Sequence, residues 1–108
     1  MERKYPNLCQ PITLGRVTFK NRMFSAPMGG TDITNDGCIG PKSTAFYELR
    51  AKGGAGAVTV SECMVHPKTD GSHAYHLDPA ILNSLAAATY TADAIRRHGS
   101  IPSIELSH

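Results

Sequence analysis

The chain has 108 residues, of which 41% are hydrophobic, 19% charged and 6% aromatic. That length holds one domain at most, and the balance excludes disorder as a global description. A net charge of +2, with no basic patch denser than Arg96-Arg97, argues against nucleic acid as a partner.

No apolar run nears the roughly 18 residues of a membrane span, so no membrane role is expected. Residues 1–6 hold no apolar h-region, and no secretory signal is visible. Cys9, Cys38 and Cys63 make no CxxC pair. Free thiols in a reducing cytoplasm are expected of them, with no metal site.

In chain order, residues 11–21 carry two short alternating runs around Gly15, with Ile12, Leu14, Val17 and Phe19 apolar. That pattern predicts a β-hairpin. Residues 22–25 read as a buried strand stopped at Ala26-Pro27, because proline cannot donate to a ladder. The Gly-, Asp- and Asn-rich residues 28–40 read as a long loop. Pro41 then suits the first turn of a helix. Its apolar stripe is Ala45, Phe46 and Leu49, and Gly53-Gly54 should stop it.

The β-branched residues from Ala57 predict a second strand reaching about Cys63. A second long loop is expected over 66–77. Asp78-Pro79 reads as an N-cap with first-turn proline. Ile81, Leu82, Leu85, Ala88, Ala92 and Ile95 follow at helical spacing, and Arg96, Arg97, His98 and Gly99 suit the helix end. Residues 101–106 read as a third strand.

Hairpin, β, α, β, α, β is the order of an α/β fold with a parallel sheet and right-handed crossovers. Both long loops follow strands, where α/β folds build their sites. A parallel strand wants cover on both faces, and no helix follows the third one here. The expectation is therefore that residues 1–108 open a longer domain. A (β/α)8 TIM barrel needs about 250 residues, and three strands are its opening three-eighths.

Specific text supports that reading. Lys20-Asn21-Arg22 with Ser25-Ala26-Pro27-Met28, and Arg50-Ala51-Lys52-Gly53-Gly54 further on, resemble the Old Yellow Enzyme family of NAD(P)H:flavin oxidoreductases. The resemblance runs from Leu8-Cys9-Gln10-Pro11-Ile12 through Val60-Ser61-Glu62 to Ile104-Glu105-Leu106-Ser107-His108. Within the family it is similar to the larger members of the 2-enoate reductase, 2,4-dienoyl-CoA reductase and trimethylamine dehydrogenase kind. The resemblance implies an FMN-binding TIM barrel, of which residues 1–108 are the N-terminal part, with the hairpin plugging the barrel bottom. It implies hydride transfer from NAD(P)H through FMN to a small activated alkene. In the larger relatives FAD and a 4Fe–4S cluster lie outside this segment.

Carried over by position, the resemblance implies cofactor-binding roles for Ala26, Pro27, Met28, Gly29, Cys63 and Glu105. Gly29 stands where relatives often have Thr or Cys, so it offers only its backbone N–H. Cys63 stands where a small residue lies against the flavin. Glu105 stands where a Gln is usual, and an ionised carboxylate only accepts hydrogen bonds. No catalytic acid is expected within these residues.

Two rival readings stay open. One is an amine-dehydrogenase-like flavoenzyme. The other is a non-catalytic β/α fragment whose open third strand pairs with a partner's sheet. His66, His73, His76 and Asp70 share a loop at no recognised metal spacing and read as solvated loop residues. His108 reads as a structural residue at a strand end. Thr31 and Asp32 read equally as substrate neighbours or plain loop.

Overall fold

The computed structural model describes residues 2–29, 32–66, 68, 75–77 and 83–107. The expected hairpin forms from β1 (Ile12–Leu14) and β2 (Val17–Phe19), paired antiparallel. Gly15 turns between them at φ +63°, a conformation open to a residue without a Cβ. The Thr13 and Thr18 hydroxyls meet across the pair at 2.9 Å.

The main sheet contains β3 (Phe24–Met28), β4 (Ala57–Met64), β5 (Tyr75–His76) and β6 (Ile101–Ser107). All its pairings are parallel. β4 is the hub: β3 and β6 both pair with it, and β5 joins only at Cys63 and Met64. The helices are α1 (Pro41–Lys52) and α2 (Ser84–Arg96). Val58 and Val60 of β4 meet Tyr47 and Ala51 of α1 and Ile95 of α2 in one buried cluster. Burying each such Val or Ile side chain contributes about 1.5–3 kcal/mol. This is the α/β arrangement of a hairpin followed by parallel strands that opens a TIM barrel.

Two local devices hold the frame. The four N–H groups that open a helix need partners. Gly40 at the cap of α1 has no side chain to give, so Asp32 supplies the acceptor from eleven residues back. Its carboxylate takes the N–H of Ser43 at 2.7 Å and of Lys42 at 3.3 Å. Asn21 is the second device. It is buried, donates Nδ2–H to the Gly54 carbonyl at 2.6 Å and accepts the Met23 N–H at 3.0 Å. Gly56 lies against it so closely that a Cβ there would sit 2.5 Å from Asn21 Oδ1.

The structure departs from expectation in three places. Pro27 does not stop its strand, which runs on to Met28. The register to β4 shifts between Ser25 and Met28, and a missing N–H is tolerated at such an irregularity. The helix faces also differ. Leu49 is 65% and Leu85 73% exposed, while Ser43, Thr44, Tyr47 and Ala51 of α1, and Ser84, Thr91, Ala94 and Ile95 of α2, are buried. Small and hydroxyl side chains let these helices approach closely, and Thr44 and Thr91 share a buried hydrogen bond at 2.9 Å. Finally, Tyr75–His76 is a strand within the expected loop. The proposed cap at Asp78-Pro79, with Ile81 and Leu82, lies outside the described residues.

Candidate functional site

The C-terminal ends of β3, β4 and β6 lie side by side, as parallel pairing requires. Successive residues of a strand face opposite ways. Val58 and Val60 face the helices, so Thr59 faces away from them, where its hydroxyl meets that of Ser103 at 2.9 Å. Two residues further along β6, Glu105 falls on that same helix-free face. It is exposed, and its register partner is Glu62.

The register between β4 and β6 shifts between Val60 and Glu62, leaving Ser61 as the extra residue of a bulge. A one-residue slip moves every later side chain to the other face. That is the fate of Cys63. Without the bulge it would share the face of Thr59. With it, Cys63 is 2% exposed and packs in the core with Tyr47, Val60 and Tyr75. Burial, helped by the charge of Glu105, pushes its thiol up to about 11. The expectation of a Cys63 side chain lying against a flavin is therefore corrected: the side chain fills space in the core.

The other expected positions are on the surface. Ala26, Pro27, Met28 and Gly29 are all exposed, Met28 by 52%. A Cβ placed on Gly29 would meet nothing within 4 Å, so the chain there borders open space. These four residues, the helix-free end of β4 and Glu105 form one wall: apolar at Met28, main chain at Gly29, acceptor-only at Glu105.

One residue of the wall's support was not expected. Tyr47 is 1% exposed, and its hydroxyl donates to the Met28 carbonyl at 2.7 Å. The same oxygen accepts the Ser61 N–H at 3.2 Å and lies 3.4 Å from the Tyr75 hydroxyl. Burial, then the Tyr75 hydroxyl, raises its acidity constant above the ordinary tyrosine value, so the hydroxyl stays protonated. A sequence signal existed. Ser43, Thr44, Tyr47 and Ala51 recur at helical spacing, and a tyrosine on a face of small residues carries a polar tip that must find a partner.

The remaining candidates resolve into structure. Asp32 caps α1. His76 is a strand residue whose N–H bonds the Gly37 carbonyl at 2.8 Å and whose carbonyl accepts from the Ser84 hydroxyl at 2.9 Å. The ring of His66 accepts the Lys68 N–H at 3.1 Å. Thr31, Asp70, His73 and His108 lie outside the described residues. Among the described residues no cluster of three or more His, Cys, Asp or Glu side chains is placed to hold a metal. No helix among them is long and apolar enough to cross a membrane.

Residues 7–108 match the family model described as NADH:flavin oxidoreductase / NADH oxidase family. The chain is 39% identical to a cinnamate reductase of Clostridium sporogenes over 66 residues, 60% of this chain and 10% of that protein. It is 29% identical to a dimethylamine dehydrogenase of Hyphomicrobium sp. (strain x) over 106 residues, 95% of this chain and 14% of that one. Among solved structures it is similar to a 2-naphthoyl-CoA reductase in complex with 2-naphthoyl-CoA, with a TM-score of 0.86 and 27% identity. That likeness covers 96% of this chain and 16% of the other. The chain thus spans a small part of the length of each relative.

Proposed function

The chain belongs to the NADH:flavin oxidoreductase / NADH oxidase family, and from that premise we propose that residues 1–108 are the N-terminal part of an FMN-binding TIM-barrel oxidoreductase. Its reaction moves hydride from NAD(P)H to an activated alkene of the enoate or enoyl/dienoyl-CoA type. The likeness to a reductase solved with its aromatic acyl-CoA carries this reading, because it extends over 96% of the chain.

The wall described above fits a flavin. An isoalloxazine is flat and apolar on its faces, with hydrogen-bonding groups along one edge. Exposed Met28 suits a face, and open space beside Gly29 admits a ring close to main chain. The Glu105 carboxylate accepts from a donor such as the flavin N3–H. Ala26, Pro27, Met28, Gly29 and Glu105 would hold the ring, and Cys63 would take part through its main chain alone. Bound FMN supplies the hydride chemistry; these residues orient the ring and exclude water from it. None is assigned as a catalytic acid.

A second reading has its own support. Similarity to the dimethylamine dehydrogenase runs over 95% of the chain, so amine oxidation is the alternative substrate class. The family match favours either enzyme over a non-catalytic pairing module.

The test uses the full-length protein. Its FMN content is measured first. NADH and NADPH oxidation is then followed with cinnamate-type acids and enoyl-CoA esters, and dye reduction is followed with secondary amines. Alkene-dependent nicotinamide oxidation is the expected result. Amine-dependent dye reduction without it would move the assignment to the alternative, and absence of bound flavin would remove both.

A further inference from the structure

Both strands that meet at the wall are irregular at their C-terminal ends. The β3–β4 register slips between Ser25 and Met28, and the β4–β6 register slips at Ser61. Irregular strands lose ladder hydrogen bonds, and buried main-chain groups without partners are costly. One side chain serves both places. The Tyr47 hydroxyl donates to Met28 O, at the end of the first slip, and accepts Ser61 N–H, at the second. A phenol has one proton to give and two lone pairs to receive, so the Tyr75 hydroxyl, at 3.4 Å, takes the remaining place as donor.

The geometry points to Tyr47 as a positioning residue of the flavin wall. Its hydroxyl pins the main chain of β3 next to Gly29 and the main chain of β4 at the bulge that turns Cys63 inward. It sets the spacing between those two stretches from behind, without touching a ligand. Tyr47 suits this task because α1 is anchored independently. Thr44, three residues earlier, bonds Thr91 of α2, and the N-terminus of α1 is capped by Asp32. The ring is buried at 1% exposure, so its tip is held by packing rather than by the bonds it makes.

This inference rests on the reading of the wall as an FMN site, and the test separates the two. Full-length wild type, Y47F and T44V are purified and compared for FMN affinity and for the visible absorption and circular dichroism of bound FMN. Y47F keeps the ring and loses only the hydroxyl. T44V removes a buried hydroxyl from the same helix that bonds α2 instead of the strands. Y47F is expected to bind FMN about tenfold more weakly, the effect of one lost hydrogen bond passed to the site, with an altered flavin dichroism. T44V is expected to keep both wild-type values.

A Y47F protein with wild-type affinity and spectrum overturns the positioning role and leaves the flavin reading intact. Equal changes in Y47F and T44V overturn it too, because they report general loosening. A Y47F chain that does not fold also overturns it, since the hydroxyl would then support the whole fold. Wild type without FMN removes the reading and the inference together.

Discussion

At the scale of single residues, the physics turns on where polar groups end. Asp32 sits in a glycine-rich loop and works as the cap of a helix that begins nine residues later. Desolvation pushes its carboxyl up, but hydrogen bonds from the Ser43 main chain and hydroxyl and from the Lys42 main chain outweigh it. They leave the group below the ordinary carboxylate value. A depressed carboxyl stabilises the fold above its unfolded pKa, and that contribution is lost as the pH falls through the lower folded value. D32A should therefore cost about 1 kcal/mol at neutral pH, as cap removals do. The gap between wild type and D32A should shrink below about pH 4. Urea unfolding of both proteins at pH 7 and pH 3 checks this; a gap that widens at low pH would contradict the cap.

At the scale of elements, Asn21 joins three of them. It holds the turn after α1, the entry to β3 and, through the close approach of Gly56, the entry to β4. N21A leaves the Gly54 carbonyl and the Met23 N–H without these partners. It should destabilise by about 1–3 kcal/mol per orphaned group that water cannot reach. Thermal unfolding of N21A beside an exposed control such as K42A measures it, and equal midpoints would count against the staple. The elements were largely legible in the residues: alternation around Gly15, the β-branched run from Ala57, and Pro41 and Gly53 bracketing α1 each mark what forms. The faces of the helices were less legible. A stripe drawn through Leu49 and Leu85 weighs apolar character alone, whereas the buried faces use Thr44, Tyr47 and Thr91, whose hydroxyls are satisfied by partners invisible in the chain order. Cys63 was misplaced for a related reason. A bulge at Ser61 leaves no composition signal, and one extra residue reverses which side a cysteine occupies.

At the scale of the molecule, much apolar surface faces solvent: Phe24, Met28 and Leu106 are each about half exposed or more. Within a closed barrel such positions meet further strands, helices or a ligand. Residues 1–108 expressed by themselves should accordingly bind hydrophobic dyes and retain little or no FMN through gel filtration. Stoichiometric flavin on that piece would show that one wall suffices. The hub position of β4 also has a consequence in time. Its contacts with β6 join residues 44 apart, as between Thr59 and Ser103, and its anchoring to the start of β3 joins residues 33 apart. On a ribosome adding about 5–20 residues per second, β4 emerges seconds before β6 can cover it. For that interval its β-branched edge is bare, and whatever binds nascent strands in the cell has its best opportunity there.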